Sequence, residues 1–490
     1  MTKTASPRTG TASRPGAGRR PGAPSRSGDR FRAPLLALLL TLAVPAAVFA
    51  HAYLASSAPA ADSVVRAPVT EVHLTFSEAL ELRYTGVTIL GADGTEIPAD
   101  AIRPVPGSRR DFVAALAAPL GAGAYTVRWR TAGADGHVVQ GAFGFTVEAD
   151  PAAPPPLPTP ATAEPVPDPT PPPSPAALEL NVEHPLAVGV RFVHFLALLG
   201  LIGAVAFRWG VAERMPRDAR TVAMAAPSSR GALRVAGAVL ALLALAVVGR
   251  LWLQSTLLHG PAEAWSPDAL GTLLSGTTWG RAWLLQLGAA TLLLLGLVLA
   301  RGEGRGAVGW ATITVAVLLL AVVPALSGHA VAVPGIPALA VLNDTLHVLG
   351  GGVWLGTLAV LVLAGFPTVG TLPRAERAPA VAGIVSIFSP VALTGAGLVG
   401  LTGVVNALFH LTAPLDLWTT GYGRAVLLKV ALLAAVAGLG FYHWRVAGPR
   451  LGTDGTARTV RRSSSGELAL GVLVVLVTAV LVARPTPLPP

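Results

Sequence analysis

Arg281-Ala-Trp-Leu-Leu-Gln-Leu-Gly-Ala-Ala-Thr-Leu-Leu-Leu-Leu-Gly-Leu-Val-Leu-Ala300 carries one charge, at its first position, and no acid. Wound as a helix at about 1.5 Å per residue, it is about 30 Å long, the thickness of the hydrocarbon core of a bilayer. Apolar runs of the same kind recur near 186–208, 234–256, 308–326, 340–364, 384–408, 424–442 and 467–483. The reading is an all-α polytopic membrane bundle of eight transmembrane helices. Composition agrees: the 490 residues are 52% hydrophobic and 13% charged, with mean hydropathy +0.61, too apolar for a soluble multidomain chain.

The connections between the runs test the count, because arginine and lysine concentrate on the cytoplasmic side. Arg208, Arg214, Arg217, Arg220 and Arg230 fall in the first connection, Arg301 and Arg305 in the third, and Arg374 and Arg377 in the fifth. Arg445, Arg450, Arg458, Arg461 and Arg462 fall in the seventh. The intervening stretches 257–280, 327–339 and 409–423 contain neither Lys nor Arg, and hold Glu263, Asp268 and Asp416. This alternation puts everything before the first span, and the short C-terminal tail, on the extracytoplasmic side of the cytoplasmic (inner) membrane.

The net charge of +10 is not a nucleic-acid signature, since it sits in separate blocks: residues 1–32 carry +7 and residues 51–150 carry −4. No partner nucleic acid is expected. The absence of cysteine excludes disulfides, zinc fingers, iron–sulfur clusters and thiolate metal sites. Any metal must use His, carboxylate or Met.

Residues 1–50 read as a signal peptide, with Arg30-Phe-Arg-Ala-Pro followed by the apolar run Leu35 to Val48 and the small-residue end Phe49-Ala50. Cleavage there makes His51 the mature N-terminus. Residues 51–148 alternate with period two. Val72, Leu74 and Phe76 interleave with His73, Thr75 and Ser77; Tyr125, Val127 and Trp129 interleave with Thr126, Arg128 and Arg130. Further short runs at 86–90, 112–116 and 143–147, separated by turn signals such as Asp93-Gly94 and Asp135-Gly136, predict an exported all-β sandwich. Residues 149–183, dominated by Pro, read as an extended linker to the membrane domain at 184–490.

A metal-binding constellation stands out in the β domain. An N-terminal His51 supplies its α-amine and imidazole, His137 a third nitrogen and Asp135 an oxygen, a donor set suited to Cu(II). Taken alone, Asp135-Gly136-His137 is also an ordinary hairpin turn. His51-Ala-Tyr-Leu, Ser57-Ala-Pro, Leu74-Thr-Phe-Ser-Glu78, Trp129-Arg-Thr-Ala-Gly-Ala-Asp135-Gly-His137 and Gly141-Ala-Phe-Gly-Phe-Thr-Val147 resemble the CopC-type copper-resistance domain. The resemblance implies a Greek-key, Ig-like β fold that binds Cu(II) through His51, Asp135 and His137, with Glu78 supporting a ligand from behind. Methionines occur only at Met1, Met215 and Met224, so the Met-rich Cu(I) site of some relatives is absent.

The helical part resembles the CopD family of copper-resistance membrane proteins. The segments that carry this are Asn343-Asp-Thr-Leu-His-Val-Leu-Gly-Gly-Gly-Val-Trp-Leu-Gly356, Phe388-Ser-Pro-Val-Ala, Thr402-Gly-Val-Val-Asn406 and Thr420-Gly-Tyr-Gly-Arg-Ala-Val-Leu-Leu-Lys429. The resemblance implies copper movement across the membrane, usually inward, with no enzymatic step and with envelope copper chaperones as candidate partners beside the copper ion and the lipid bilayer.

His194 and His347 are the deepest histidines of the outer half and are candidates for a transport path, facing one another from different spans. His259, His329 and His410 are placed at headgroup depth, and Arg250 and Lys429 are expected to snorkel outward. Asp344 and Glu467 lie near span ends, so a proton relay is not indicated. Glycines at 350–352 and 356 predict close helix packing. The competing functions are a tethered copper sequestrant, a membrane cytochrome with His194 and His347 as haem ligands, and a copper oxidase built on the N-terminal His.

Overall fold

A computed structural model describes residues 53–484 except 67, 78, 134–137, 149–181, 216–218, 334, 412, 443–444 and 446–453. The signal at 1–50, the linker through 181, and His51, Glu78, Asp135 and His137 therefore lie outside the described residues.

Eight strands form the β domain: β1 Leu54–Ala58, β2 Val64–Arg66, β3 Val69–Phe76, β4 Gly86–Gly91, β5 Glu96–Pro104, β6 Asp111–Leu120, β7 Gly123–Ala132 and β8 Val138–Glu148. Their order across the sheet is β1-β3-β6-β5-β4-β7-β8-β2, and only β2 on β8 is parallel. β5 pairs with β4 on one side and β6 on the other, and so links the two halves. The inward set is the one the alternation predicts. Val72, Leu74, Phe76, Val127 and Trp129 are buried, while His73, Arg128 and Arg130 are exposed. Phe76 anchors the core, edge-on to Trp129 at 5.1 Å and to Phe112 at 6.3 Å. Gly141 leaves room for the Trp129 ring, since a Cβ there would lie 2.5 Å from it.

β5 is the strand the sequence conceals. None of its residues is fully buried and prolines stand at positions 98 and 104, so neither clean alternation nor β-propensity marks it.

In the membrane domain the helices are α1 Pro185–Gly210, α2 Ala219–His259, α3 Pro267–Gly276, α4 Thr278–Arg301, α5 Gly306–Leu326, α6 Pro337–Val369, α7 Arg374–His410, α8 Gly421–Tyr442 and α9 Asp454–Leu481. All but α3 contain a window long and apolar enough to span a bilayer, which gives the eight expected. α2 and α7 extend well beyond their apolar runs because the basic connections, with Arg230, Arg234, Arg374 and Arg377, continue the helix, as good helix formers do. Helix starts are capped: the Ser266 hydroxyl accepts from the Ala269 N–H and Thr277 from Gly280 N–H, each at the first turn of α3 or α4.

α6 is the centre of the bundle and packs on α1 and α7. Gly203 of α1 and Gly356 of α6 touch backbone to backbone, and a Cβ on either would overlap the other helix. On its other side Gly395 of α7 lies against Trp354, where a Cβ would come 2.7 Å from the Trp354 nitrogen. The predicted glycine packing is therefore present. α6 also contains two π-helical turns, Gly352–Gly356 and Leu361–Gly365, a distortion common at functional sites. Leu245, Val248, Leu294, Val298, Leu363 and Leu393 are exposed on the helices, the apolar exterior that lipid covers.

Candidate functional site

The described residues that flank the four candidate ligands of the β domain gather at one corner. Tyr53 N–H donates to the Ser77 hydroxyl at 3.1 Å and Ser77 N–H to the Tyr53 carbonyl at 3.0 Å. Three residues on, Leu80 bridges Gly133, and Glu81 N–H donates to the Ala132 carbonyl at 2.9 Å. The β7–β8 ladder closes at this same corner, with Ala132 opposite Val138. Among the described residues no group of three or more His, Asp or Glu is arranged to hold a metal.

The base of that hairpin is seated on the membrane domain. Ala132 is buried in the hydrophobic cluster of the bundle with Leu273 and Trp279, and Val138 and Tyr84 pack against the same cluster. Arg130 Nη2 donates to the Leu257 carbonyl at 2.6 Å, and the Tyr84 ring meets the His259 ring at 5.5 Å. The Arg83 guanidinium lies over Gly276. Between the two parts lies a cleft of about 640 Å³ lined by Arg83, Tyr84, Arg130, His259, Glu263 and Asp268. Burial pushes the Tyr84 phenol pKa up, and its buried hydroxyl has no hydrogen-bond partner. His259 is thus a contact between the β domain and the bundle. The β domain and the 257–280 stretch lie on one face of the bundle, as the charge pattern requires.

Directly beneath Trp279 lies the first polar cluster. The Arg250 guanidinium sits 5.5 Å from the centre of the Trp279 ring and donates to Gln286 Oε1 at 2.5 Å and to the Ser327 hydroxyl at 2.9 Å. That fixes the Gln286 amide, whose Nε2 then donates to His194 Nε2 at 3.0 Å. His194, 3% exposed, accepts through Nε2 and so carries its proton on Nδ1. Arg250 does not snorkel. An amide, a hydroxyl and an aromatic face replace the water it would otherwise seek.

The second cluster lies between α6, α7 and α8. Lys429 Nζ stands 3.4 Å from His347 Nε2, and His347 Nδ1 is 2.9 Å from the Thr402 hydroxyl. Asn343 donates to the Thr402 carbonyl at 3.1 Å and to Asn406 Oδ1 at 2.7 Å, and Asn406 donates to Asp344 at 3.1 Å. Asp344 acts electrostatically on Lys429 and is itself acted on by His329. His410 bonds the Asn406 carbonyl at 2.7 Å, stacks on Tyr422 at 6.1 Å and meets His329 at 6.3 Å. Lys429, expected at the surface, therefore turns inward because an aspartate and an imidazole receive it. Asp344, dismissed as a span-end residue, is part of a continuous polar seam from His329 to His347. His410 and His329 belong to this seam.

His194 and His347 each precede their glycine of the Gly203–Gly356 crossing by the same interval of chain, and so sit at similar depth. They do not meet. His194 turns to Gln286 of α4 and His347 to Thr402 of α7 and Lys429 of α8. The sequence reading missed Gln286, Asn343, Asn406 and Tyr422 as participants; the segments singled out around 343, 402 and 420 nonetheless contain three of the four.

Three family descriptions match: a CopC domain over residues 54–148, a copper resistance protein D-like N-terminal domain over 182–340, and copper resistance protein D over 382–481. The copper transport protein CutJ of Bacillus subtilis (strain 168) is 26% identical over 465 residues, which cover 92% of this chain and 77% of CutJ. Copper resistance protein C of Escherichia coli is 36% identical over 116 residues, 22% of this chain and 90% of that protein. Among solved structures, the crystal structure of PcoC, a methionine rich copper resistance protein from Escherichia coli, is 32% identical over 20% of this chain and 100% of its own, with a TM-score of 0.19.

Proposed function

The chain belongs to the copper-resistance family that joins a CopC domain to a CopD-type membrane domain, and on that premise we propose that it captures Cu(II) outside the cytoplasmic membrane and moves copper inward across it. In this reading residues 1–50 are a signal removed before His51, 51–148 the capture domain, 149–183 the linker and 184–490 the multi-pass permease. His51, Asp135 and His137 hold the ion, with Glu78 behind a ligand, and envelope copper chaperones supply it. The chain performs transport, not catalysis.

The observation that supports this reading is the seating of the β7–β8 hairpin on the face of the bundle that carries Leu257 to Trp279, above Trp279 and the His194 cluster. A metal held in that hairpin is released against the membrane domain rather than into solvent. Beyond it, His347 is the better placed imidazole for a cation, because the Lys429 ammonium beside it is balanced by Asp344 in the same seam, whereas the arginine beside His194 is met by neutral groups. A haem bridging His194 and His347 is disfavoured, since the two turn to different helices.

Two variants test the two halves. His137→Ala is expected to lower Cu(II) affinity about 100-fold or more, while His73→Ala, exposed and bonded only to Glu71, leaves it unchanged. Titration of copper into the purified protein reads both, and wild-type affinity should fall below about pH 6 as the imidazoles protonate. His347→Ala is expected to abolish copper uptake by proteoliposomes at unchanged Cu(II) binding. Uptake at the wild-type rate removes His347 from the path, and net export in oriented vesicles reverses the direction.

A further inference from the structure

The cluster around His194 is positively charged, and no ion pair among the described residues balances it. Arg191, one turn from His194 on α1, has a buried Nη1 with no hydrogen-bond partner. Val190 of α1 packs against Gly249 of α2, where a Cβ would lie 3.2 Å from its Cγ2, so Arg191 and Arg250 are the next residues at one contact of the two helices; Arg191 in turn acts electrostatically on Arg250, and Arg250 on His194. Among the described residues Arg250 is met by neutral groups, Gln286, Ser327 and the Trp279 ring. None of the ion pairs among the described residues includes either arginine. The second cluster is built differently, for there the cation Lys429 is faced by Asp344.

Guanidinium remains protonated at any physiological pH, so the pair cannot escape by losing a proton. Two like charges in a low-dielectric interior repel strongly, and an unpaired buried ion is among the most unfavourable features a fold can carry. Within a membrane domain such groups mark ligand or ion paths. The depth fits access from outside: α1 begins at Pro185, two turns before Arg191, and Ser327 directly follows the last residue of α5.

We propose that Arg191 and Arg250 hold a small inorganic monoanion, chloride being the simplest, in the outer half of the membrane domain beside His194. The site stands on the unpartnered Nη1 of Arg191 and on the neutral partners of Arg250. Its consequence for copper rests on the transport reading: with the anion bound, the cluster no longer repels a metal cation, and copper reaches His194 together with its counter-ion.

The test uses the full-length protein purified in an uncharged detergent without copper, and follows thermal unfolding in sodium chloride against sodium gluconate at equal ionic strength. Chloride is expected to raise Tm saturably, by about 2 °C or more, relative to gluconate. Arg191→Gln is expected to abolish that difference, and Arg305→Gln, an exposed loop arginine, to retain it in full. Equal Tm in both salts for the wild type overturns the proposal, as does the same chloride effect in R191Q. Stabilisation by phosphatidylglycerol but not by chloride overturns the free anion and assigns the arginines to lipid phosphate. The buried Nη1 of Arg191 has no hydrogen-bond partner among the described residues, so Gln at this position breaks no bond made by that nitrogen. Should R191Q nonetheless fail to fold, the titration is read in R191K, where half-saturating chloride must rise several-fold; an unchanged value also overturns the proposal. None of these readings involves copper, so failure of the anion site and failure of transport are separable.

Discussion

The β domain and the membrane domain are built inside out from one another. In the first, Phe76, Phe112 and Trp129 fill the interior and the arginines of β7 face outward. In the second, leucine and valine cover the exterior while Gln286, Asn343, Arg250 and Lys429 turn inward. The difference is one of solvent. Water drives apolar groups together and gives a buried aromatic its value; lipid offers no such drive, so the bundle is held by backbone contact at glycines and by polar groups that have nowhere else to bond.

The comparison is broken most severely at the glycine crossing. Gly356→Val is expected to prevent a folded bundle altogether, because its side chain would enter the backbone of α1 at Leu199 and Gly203. Yield and monodispersity after detergent extraction measure this, and a well-folded G356V would show that the helices are free to separate. A smaller effect is expected at Lys429→Met, which removes the cation that acts on Asp344 across the seam; without direct contact between the two, the loss should be a fraction of the ~3–5 kcal/mol that breaking a buried contact pair costs. The double variant with Asp344→Asn should recover most of the loss in a thermal melt, since it removes the stranded charge as well. Absence of recovery would mean that the two do not act as a pair. The smallest effect is expected at Arg130→Ala, which deletes one hydrogen bond across the domain junction, about 1 kcal/mol. Hydrogen exchange around Leu257 and His259 should quicken while the core of each part stays protected.

Regular features were legible in the sequence because each is written in a short window. Apolar length marks the eight spans, and alternation marks β3 and β7. β5 escaped because it is half-buried along its length, and the π turns of α6 escaped because nothing local distinguishes Gly352–Gly356 from an α-helical run. The candidate site divides the same way. His194 and His347 were visible as histidines in apolar surroundings. Their partners were not, because Gln286, Thr402 and Lys429 are brought to them by helix packing alone. Arg250 and Lys429 were misread for one reason: a cation in an apolar run looks like an anchor until the acceptor on a neighbouring helix is known.

The seating of the β7–β8 hairpin also has a kinetic meaning. If the captured ion sits in the loop that leaves Ala132 and returns at Val138, giver and receiver belong to one chain and are already in contact. Passage between them is then first order, with a rate that dilution of the protein does not change, whereas delivery by a separate soluble carrier would slow in proportion to its concentration. Loosening the seat, as at Arg130, would lower the rate by the fraction of time spent undocked and leave the affinity of the ligands untouched.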